Sequence, residues 1–272
     1  MKTILTILIT SLFFISIKAQ SPGDLLITPY RVVFEGGKNI EELTVANTGT
    51  DTARYSIGFL QYKMMEDGVL KLIEEPEGGV LFADRYLRFF PRAITLAPNE
   101  AQVVRVQVRT PANLEPAEYR SHLYFRSIVD EQPDMGEQSD TLLRIQLIPV
   151  YGISIPLILR VGELNVQANI SDIVYNENIG SDANIEFNLL REGTMSTFGI
   201  VEITHTSEEG QKTLIGRANG VAVYTPLSSR KVKIPLNIPE QVDIKKGSLQ
   251  IKYFVRDMGR ESVYFEHSFS IK

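Results

Sequence analysis

The sequence predicts an all-β protein made of two immunoglobulin-like β-sandwich domains. Short stretches of alternating apolar and polar residues follow one another along the chain, and no convincing helical period interrupts them. The stretches are separated by turns rich in Gly, Pro and Asn, the residues that β-turns favour. One set of strands ends at Arg160, where the composition changes, and a second set follows. We therefore expect an N-terminal domain over residues 20–160 and a C-terminal domain over residues 161–272.

The first nineteen residues predict a secretory signal peptide. Lys2 gives a basic start, and an apolar stretch runs through to Ile17. The small residue Ala19 precedes the expected cleavage before Gln20, so residues 1–19 would be removed. Lipid attachment at the cut is excluded because the sequence has no Cys. No later segment has the roughly 20 apolar residues of a membrane span, so we expect a mature protein that is soluble beyond the inner membrane or outside the cell.

The charge balance argues against nucleic acid as a partner. The sequence has 28 Lys and Arg against 33 Asp and Glu, a net charge of −5 at pH 7. Two of the lysines belong to the predicted signal peptide, which leaves 26 basic and 33 acidic residues and a net charge of −7. Nucleic-acid-binding domains are usually basic. Because the sequence has no Cys, two hydrophobic cores rather than disulfides must hold the exported fold.

The first domain is predicted to contain about seven strands, the number typical of an immunoglobulin-like sandwich. The glycine-rich turn Glu35-Gly36-Gly37-Lys38 and the turn at 47–51 separate the first three strands. Segment 129–140 is polar and acidic, and its carboxylates fit no calcium-loop spacing, so it predicts a solvated loop. The predicted strands cover residues 25–34, 42–46, 53–62, 80–90, 101–109, 119–128 and 142–160.

The last of these strands is unusual, because its odd positions are nearly all apolar over about 19 residues. Arg144, Gln146 and two prolines argue against a membrane helix, and the prolines also argue against a buried helix. Pro149 and Pro156 lack an N–H, so the strand should have an unpaired edge or a bulge there. An apolar strand with a free edge attracts a partner strand.

The second domain continues the same alternation after Val161-Gly162-Glu163. Glycines stand near several of its turns, as expected for a second antiparallel sandwich. Few residues separate the two sets of strands, which predicts a fixed angle between the domains rather than a flexible tether. The predicted strands cover residues 184–190, 197–205, 212–218, 221–224, 230–236, 248–255 and 263–271.

Three segments resemble the periplasmic chaperones of the chaperone/usher pathway, the P pilus assembly chaperone family. They read ITPYRVVFEGGKNIEELTVANTG (27–49), FPRAITLAPNEAQVVRVQVR (90–109) and EYRSHLYFRSI (118–128), the last followed by the loop and the long strand. The resemblance implies a boomerang of two immunoglobulin-like domains located in the periplasm. It also implies two kinds of partner, fimbrial or pilus subunits and an outer-membrane usher. Such chaperones lend a strand to an incomplete subunit, which is donor-strand complementation.

Three apolar side chains of the long strand fit the part of the donated strand. Leu143, Ile145 and Leu147 share one face, whereas Arg144 and Gln146 lie on the other. The three directly follow the predicted loop, so they would be available to fill alternate pockets in a client. We therefore expect them to form the donor strand.

The resemblance also implies a site for the subunit's C-terminal carboxylate. The family's cleft Arg falls on Arg31, whose structural alternative is an ion pair with Glu41 or Glu42. The family's second anchor, a Lys, falls on Pro156 and does not match. The second cation would then come from Arg160 or Arg120, or backbone amides would replace it.

A further family position implies an ion pair between the domains. Arg160 matches an Arg that serves this internal salt bridge. The usual Glu partner is expected to be replaced by Arg120, with Glu118 nearby. We therefore expect Arg160, Arg120 and Glu118 to be structural residues of the domain junction.

No enzymatic function is predicted, and neither a cofactor nor a metal is expected. The sequence lacks a Cys nucleophile, a Gly-x-Ser-x-Gly elbow and a phosphate-binding loop. It has three histidines, and none of them has another type of ligand residue at metal-binding spacing. These are His122, His205 and His267. A secreted two-domain adhesion or structural module remains the alternative function. The free apolar strand separates the two, because a stand-alone adhesin is expected to protect such an edge with charges.

Overall fold

The computed structural model describes residues 25–128, 150–177, 183–257 and 259–271. Nearly all of the regular structure in these ranges is β-strand. A single 3₁₀ turn, Asp84–Tyr86, is the exception among them. The strands of the first half are β1 Leu25–Thr28, β2 Val32–Phe34, β3 Ile40–Asn47, β4 Ala53–Met64, β5 Leu70–Ile73, β6 Leu87–Phe90, β7 Ala93–Leu96, β8 Ala101–Val108, β9 Ala117–Ser127 and β10 Gly152–Val161. Those of the second half are β11 Val166–Asn176, β12 Asn184–Gly193, β13 Thr197–Thr206, β14 Lys212–Val223, β15 Ser229–Pro235, β16 Ser248–Asp257 and β17 Arg260–Phe269.

The strands form two β-sandwiches, and the predicted all-β fold of two sandwiches is confirmed. In the first sandwich, a sheet of order β1-β3-β8-β6 faces a sheet of order β2-β10-β9-β4-β5, in which β7 also pairs with β4. In the second, the sheets have the orders β11-β12-β15 and β14-β13-β16-β17. Each sandwich has its own apolar core. The domain limits and the boomerang arrangement stay predictions.

The strand predicted over residues 25–34 is in fact two strands in different sheets. β1 pairs antiparallel with β3, whereas β2 pairs parallel with β10 in the opposite sheet. Pro29 follows β1 directly and has no N–H to continue the ladder. Arg31 therefore lies at the crossover between the two sheets.

The strand predicted over residues 80–90 is also shorter, because only β6 at its end joins a sheet. The backbone N–H groups of Ala83 and Asp84 both donate to the Ser121 hydroxyl, each at 2.9 Å, instead of to a neighbouring strand. Three strands, β5, β7 and β11, lie where none was predicted. β5 and β7 have only four residues each, too few for an alternating pattern to be recognised.

The described part of the long strand is β10, which has one paired edge and one largely open edge. β9 pairs antiparallel with β10 along its whole length. On the other edge β2 pairs only with the positions from Leu157 to Leu159. Within the described ranges no strand covers that edge from Gly152 to Pro156. The open edge agrees with the missing N–H of Pro156.

The two sandwiches contact each other through a small apolar cluster and a backbone hydrogen bond. Met64 and Ile158 of the first sandwich are buried against Ala222 and Tyr224 of the second. The Lys231 N–H at the start of β15 also donates to the Glu66 carbonyl at 2.7 Å. The two sandwiches are therefore in direct contact at their junction.

Several predictions fall on residues outside the described ranges. These are the signal peptide, the acidic segment and the donor residues Leu143, Ile145 and Leu147. Among the residues that are described, no helix is both long and apolar enough to span a bilayer.

Candidate functional site

The side chain of Arg31 points away from the first core and toward the second sandwich, as the alternating burial of the residues that follow it indicates. Val32 and Phe34 are buried in the first core, so Arg31 and Val33 belong to the opposite face of the sheet. Val33 packs against the apolar cluster of the junction. The Cζ atom of Arg31 lies 4.4 Å from the ring centroid of Phe198 on β13. Arg31 therefore sits in a cleft that both sandwiches line.

The Arg31 guanidinium lacks a carboxylate partner within the described ranges. Its Nε atom is buried and makes no hydrogen bond to any residue described. Glu41 pairs with Lys38, and Glu42 pairs with Arg105 at 2.8 Å. The ion pair considered as the structural alternative for Arg31 is thus absent from this arrangement.

Arg160 and Glu118 form an ion pair within the first sandwich, at its junction with the second. They lie opposite each other on β10 and β9, and the Arg160 Nε donates to Glu118 at 3.1 Å. Arg160 Nη1 also donates to Glu35 at 2.8 Å. Burial alone would lower the pKa of Arg160, but its bonds to Glu35 and Glu118 together raise that pKa. Two nitrogens of Arg160, Nε and Nη1, are therefore engaged in structural bonds.

The Glu118 carboxylate carries this contact across the junction. Its side chain is fully buried. The Ser196 backbone N–H donates to it at 3.1 Å, and the Ser196 hydroxyl donates to it as well. The Thr225 hydroxyl adds a bond of 3.3 Å. Glu118 itself is thus the glutamate partner of Arg160, and the expectation that Arg120 replaces this partner is wrong.

Arg120 follows Glu118 by two residues on the same face of β9, and its guanidinium packs against an aromatic ring. Its Cζ is 4.2 Å from the Tyr224 ring centroid, and its Nη2 donates to the Tyr62 carbonyl at 2.9 Å. The side chain is only 3% exposed, and Nε and Nη1 have no hydrogen-bond partner among the described residues. Burial lowers the pKa of Arg120. Arg120 is therefore covered by the Tyr224 ring and is not accessible from the cleft.

His122 follows Arg120 by two residues on the same face of β9, and it pairs with Pro156 of β10. It is 2% exposed, and the Tyr62 ring meets it edge to face at 4.8 Å between centroids. Burial first, and the nearby Arg120 charge second, lower its pKa to about 3. His122 is therefore neutral at physiological pH.

The apolar face of β10 changes from buried to exposed along the strand. Leu157 and Ile155 are 0% and 3% exposed, whereas Ile153 is 37% exposed and Tyr151 is 46% exposed. This face of β10 is therefore buried in the core near the C-terminal end of the strand and exposed near its N-terminal end. The predicted donor residues precede the exposed end in the sequence and lie outside the described ranges.

Sequence reasoning missed the residues that the second sandwich contributes. Phe198, Tyr224, Ser196 and Thr225 complete the surroundings of Arg31, Arg120 and Glu118, yet no local motif marks them. No group of three or more potential metal ligands occurs in the ranges described. The site offers cations, aromatic faces and an open strand edge.

No protein-family model matches this chain, and no curated protein matches it. Similar solved structures include the class 5 fimbriae chaperone CfaA, at 15% identity and a TM-score of 0.44, with 89% of this chain and 99% of that chain covered. The structure of the CsuC–CsuE chaperone–tip adhesion subunit complex of Acinetobacter baumannii matches at 14% identity and a TM-score of 0.44, covering 90% and 98%. That of Salmonella enterica SafA pilin with the SafB chaperone matches at 15% identity and a TM-score of 0.39, covering 91% and 96%. Many of the solved structures similar to this chain are thus pilus chaperones, which share about 90% of its length at low sequence identity.

Proposed function

We propose that this protein is a periplasmic chaperone that caps exported fimbrial or pilus subunits by donor-strand complementation and delivers them to an outer-membrane usher. The observation that carries the proposal is the position of Arg31 at the end of the open edge of β10. Arg31 directly precedes Val32, and Val32 is the first residue of β2 in register with β10, opposite Leu157. The open edge covers the preceding positions, Gly152 to Pro156.

This placement fits a client strand that runs parallel to β10. Such a strand would occupy the open edge in line with β2, which itself runs parallel to β10. Its C-terminal end would then point at the start of β2, where Arg31 lies. Main-chain hydrogen bonds along the edge would provide affinity, and alternate side chains would provide specificity.

The apolar face of β10 supports the lending of side chains to a client. The period of two that includes Ile153 and Tyr151 continues through Leu147, Ile145 and Leu143. Burying an aliphatic side chain contributes about 1.5–3 kcal/mol, so three pockets would contribute several kcal/mol before ordering costs are subtracted. These three residues would be the donated ones.

Arg31 is well suited to hold the client's terminal carboxylate. A guanidinium presents paired N–H donors that match the two oxygens of a carboxylate, and such charge-assisted bonds contribute about 1.5–3 kcal/mol. Arg160 is engaged with Glu118 and Glu35, and Arg120 lies under Tyr224. We therefore favour an anchor that consists of Arg31 and backbone amides alone.

The character of the open edge favours a chaperone over a stand-alone adhesion module. The positions from Gly152 to Pro156 carry no charged residue, although a permanently exposed edge is usually protected by charges. An edge of this kind is expected to be covered by a partner strand during function.

The donor-strand proposal is tested by co-expressing the tagged protein with each exported protein that neighbouring genes encode. Ile145→Asp and Leu147→Asp should abolish co-purification of the client, because a charge would enter an apolar pocket. Gln146→Asp is the matched control, since it places the same charge on the other face. The two variants should melt like the wild type. Collapse of their fold would reject the donor strand and favour the adhesion module.

The anchor is tested in the same co-purification with Arg31→Ala. We expect client recovery to fall, while Arg92→Ala leaves it unchanged. Arg92 is a suitable control because it also stacks on a phenylalanine, Phe89, at 4.1 Å, but lies between β6 and β7. Unchanged recovery with Arg31→Ala would remove this residue from the proposed site.

A further inference from the structure

We infer that Phe198 of the second sandwich is a positioning residue for Arg31, so that the carboxylate anchor is built by both sandwiches. The inference rests on the proposed function of Arg31 and names a residue of the second domain that this function requires. It is based on the ring contact, on the missing ion pair of Arg31, and on the way the second sandwich fixes Phe198.

The ring of Phe198 is the contact that defines where the Arg31 guanidinium lies. The two groups are 4.4 Å apart, within the range of a cation–π interaction. No acidic residue of the described ranges pairs with Arg31, and its buried Nε has no hydrogen-bond partner there. Without the ring, a long side chain would sample many rotamers. The contact therefore orders the guanidinium before a ligand arrives, which reduces the ordering cost of binding.

The position of Phe198 is in turn fixed by the backbone of the second sandwich. Phe198 lies on β13, an interior strand, opposite Ala222 of β14. The next residue must be glycine, because a Cβ at Gly199 would lie 2.4 Å from the Phe254 carbonyl oxygen. Gly220 of β14 lies beside the Phe198 ring, since a Cβ there would be at an ordinary contact distance of 3.8 Å. The backbone next to Phe198 is thus held by its close approach to Phe254 and by its pairing with β14.

The exposed surroundings leave room for a ligand beside this pair. Tyr30, the residue before Arg31, is 69% exposed, and its ring lies 6.5 Å from that of Phe198. Phe198 itself is only partly buried. One face of the guanidinium is covered by the ring and its Nε is buried, so the N–H groups on Nη1 and Nη2 are those that a carboxylate can reach. A single oriented arginine can then replace an anchor of two cations.

The test uses the mature full-length chain and two short synthetic peptides of alternating Val and Thr. The peptides are acetylated at the N-terminus and differ only in ending with a carboxylate or an amide. The ratio of their dissociation constants isolates carboxylate recognition, because a general loss of structure weakens both peptides alike. We expect the wild type to prefer the carboxylate and Arg31→Ala to lose this preference.

Phe198→Leu should reduce the preference for the carboxylate about three- to fivefold and leave the amide affinity unchanged. Phe198→Tyr keeps an aromatic face and should retain the preference of the wild type. If Phe198→Leu keeps the full preference while Arg31→Ala abolishes it, the inference about Phe198 is wrong and the anchor stands. If the wild type shows no preference, the carboxylate anchor fails, and the role of Phe198 fails with it.

Discussion

Arg31 and Arg160 belong to the same sandwich and both face the second one, yet they are held in opposite ways. Arg160 donates to two carboxylates, Glu118 at 3.1 Å and Glu35 at 2.8 Å. Arg31 stacks on an aromatic ring and has no carboxylate partner in the described ranges. The same residue type is therefore a structural element at one place and a candidate ligand-binding group at the other.

The difference follows from how each charge is compensated. Glu118 is fully buried, and its carboxylate oxygens accept hydrogen bonds from Arg160, Ser196 and Thr225. The bonds that Ser196 and Thr225 donate to Glu118 connect the two sandwiches. Among the described residues, the Arg31 charge is compensated only by the face of a ring, so an incoming carboxylate can still improve its environment.

Removing the central carboxylate should give the largest effect on stability. Glu118→Ala would leave Arg160 and the Ser196 N–H without their partner inside the junction. We expect a loss of about 3–5 kcal/mol in the free energy of unfolding. Chemical denaturation measures this loss. Glu35→Ala removes the exposed partner of Arg160 and should cost less than about 1 kcal/mol. Equal costs for the two variants would contradict the central role of Glu118.

The same contrast extends along β10, where Ile155 and Ile153 share one face. Ile155→Ala removes a side chain that is 3% exposed and should cost about 2–5 kcal/mol. Ile153→Ala alters a residue that is 37% exposed and should cost less than about 1 kcal/mol. Melting of both purified variants checks the expectation. A similar loss in each would mean that the exposed end of β10 is part of the core.

His122 should make the junction sensitive to acid. Its pKa of about 3 in the folded protein lies below the ordinary value of 6.5, so the unfolded chain binds a proton first as the pH falls. Stability from this residue is complete above pH 6.5 and decreases between pH 6.5 and about 3, by about 1.4 kcal/mol per pH unit.

Denaturation at pH 6.5 and at pH 4.5 measures this decrease. His122→Gln should reduce it, whereas His267→Gln on the exposed face of β17 should leave it unchanged. The same pH dependence in the wild type and in His122→Gln would show that other groups cause it.

The smallest effect on stability is expected for Arg31→Ala. Loss of its contact with Phe198 should change the free energy of unfolding by less than about 1 kcal/mol, because a cation–π contact of this type contributes about 0.5–1 kcal/mol. Arg160→Ala should cost more, since it leaves Glu118 buried without its cation. A large loss of stability with Arg31→Ala would place Arg31 with the structural residues.

The strand architecture could be predicted from the sequence, whereas most of the site could not. Alternation in segments such as 101–109 and 119–128 is a local signal, and it corresponds to β8 and β9 within two residues at each end. The crossover at Pro29 and the turn at Asp84 were missed. They depend on which sheet each segment joins and on the Ser121 hydroxyl, which lies far along the chain.

By itself the sequence determined the all-β class, the two sets of strands and the open edge at Pro156, because alternation, turn residues and a missing N–H act over a few residues. Only the tertiary structure decided the partners of the arginines. Glu118 and Ser196 are 78 positions apart, and Phe198 reaches Arg31 from the other sandwich. Such contacts depend on how the two sandwiches pack against each other, and no local pattern records that packing.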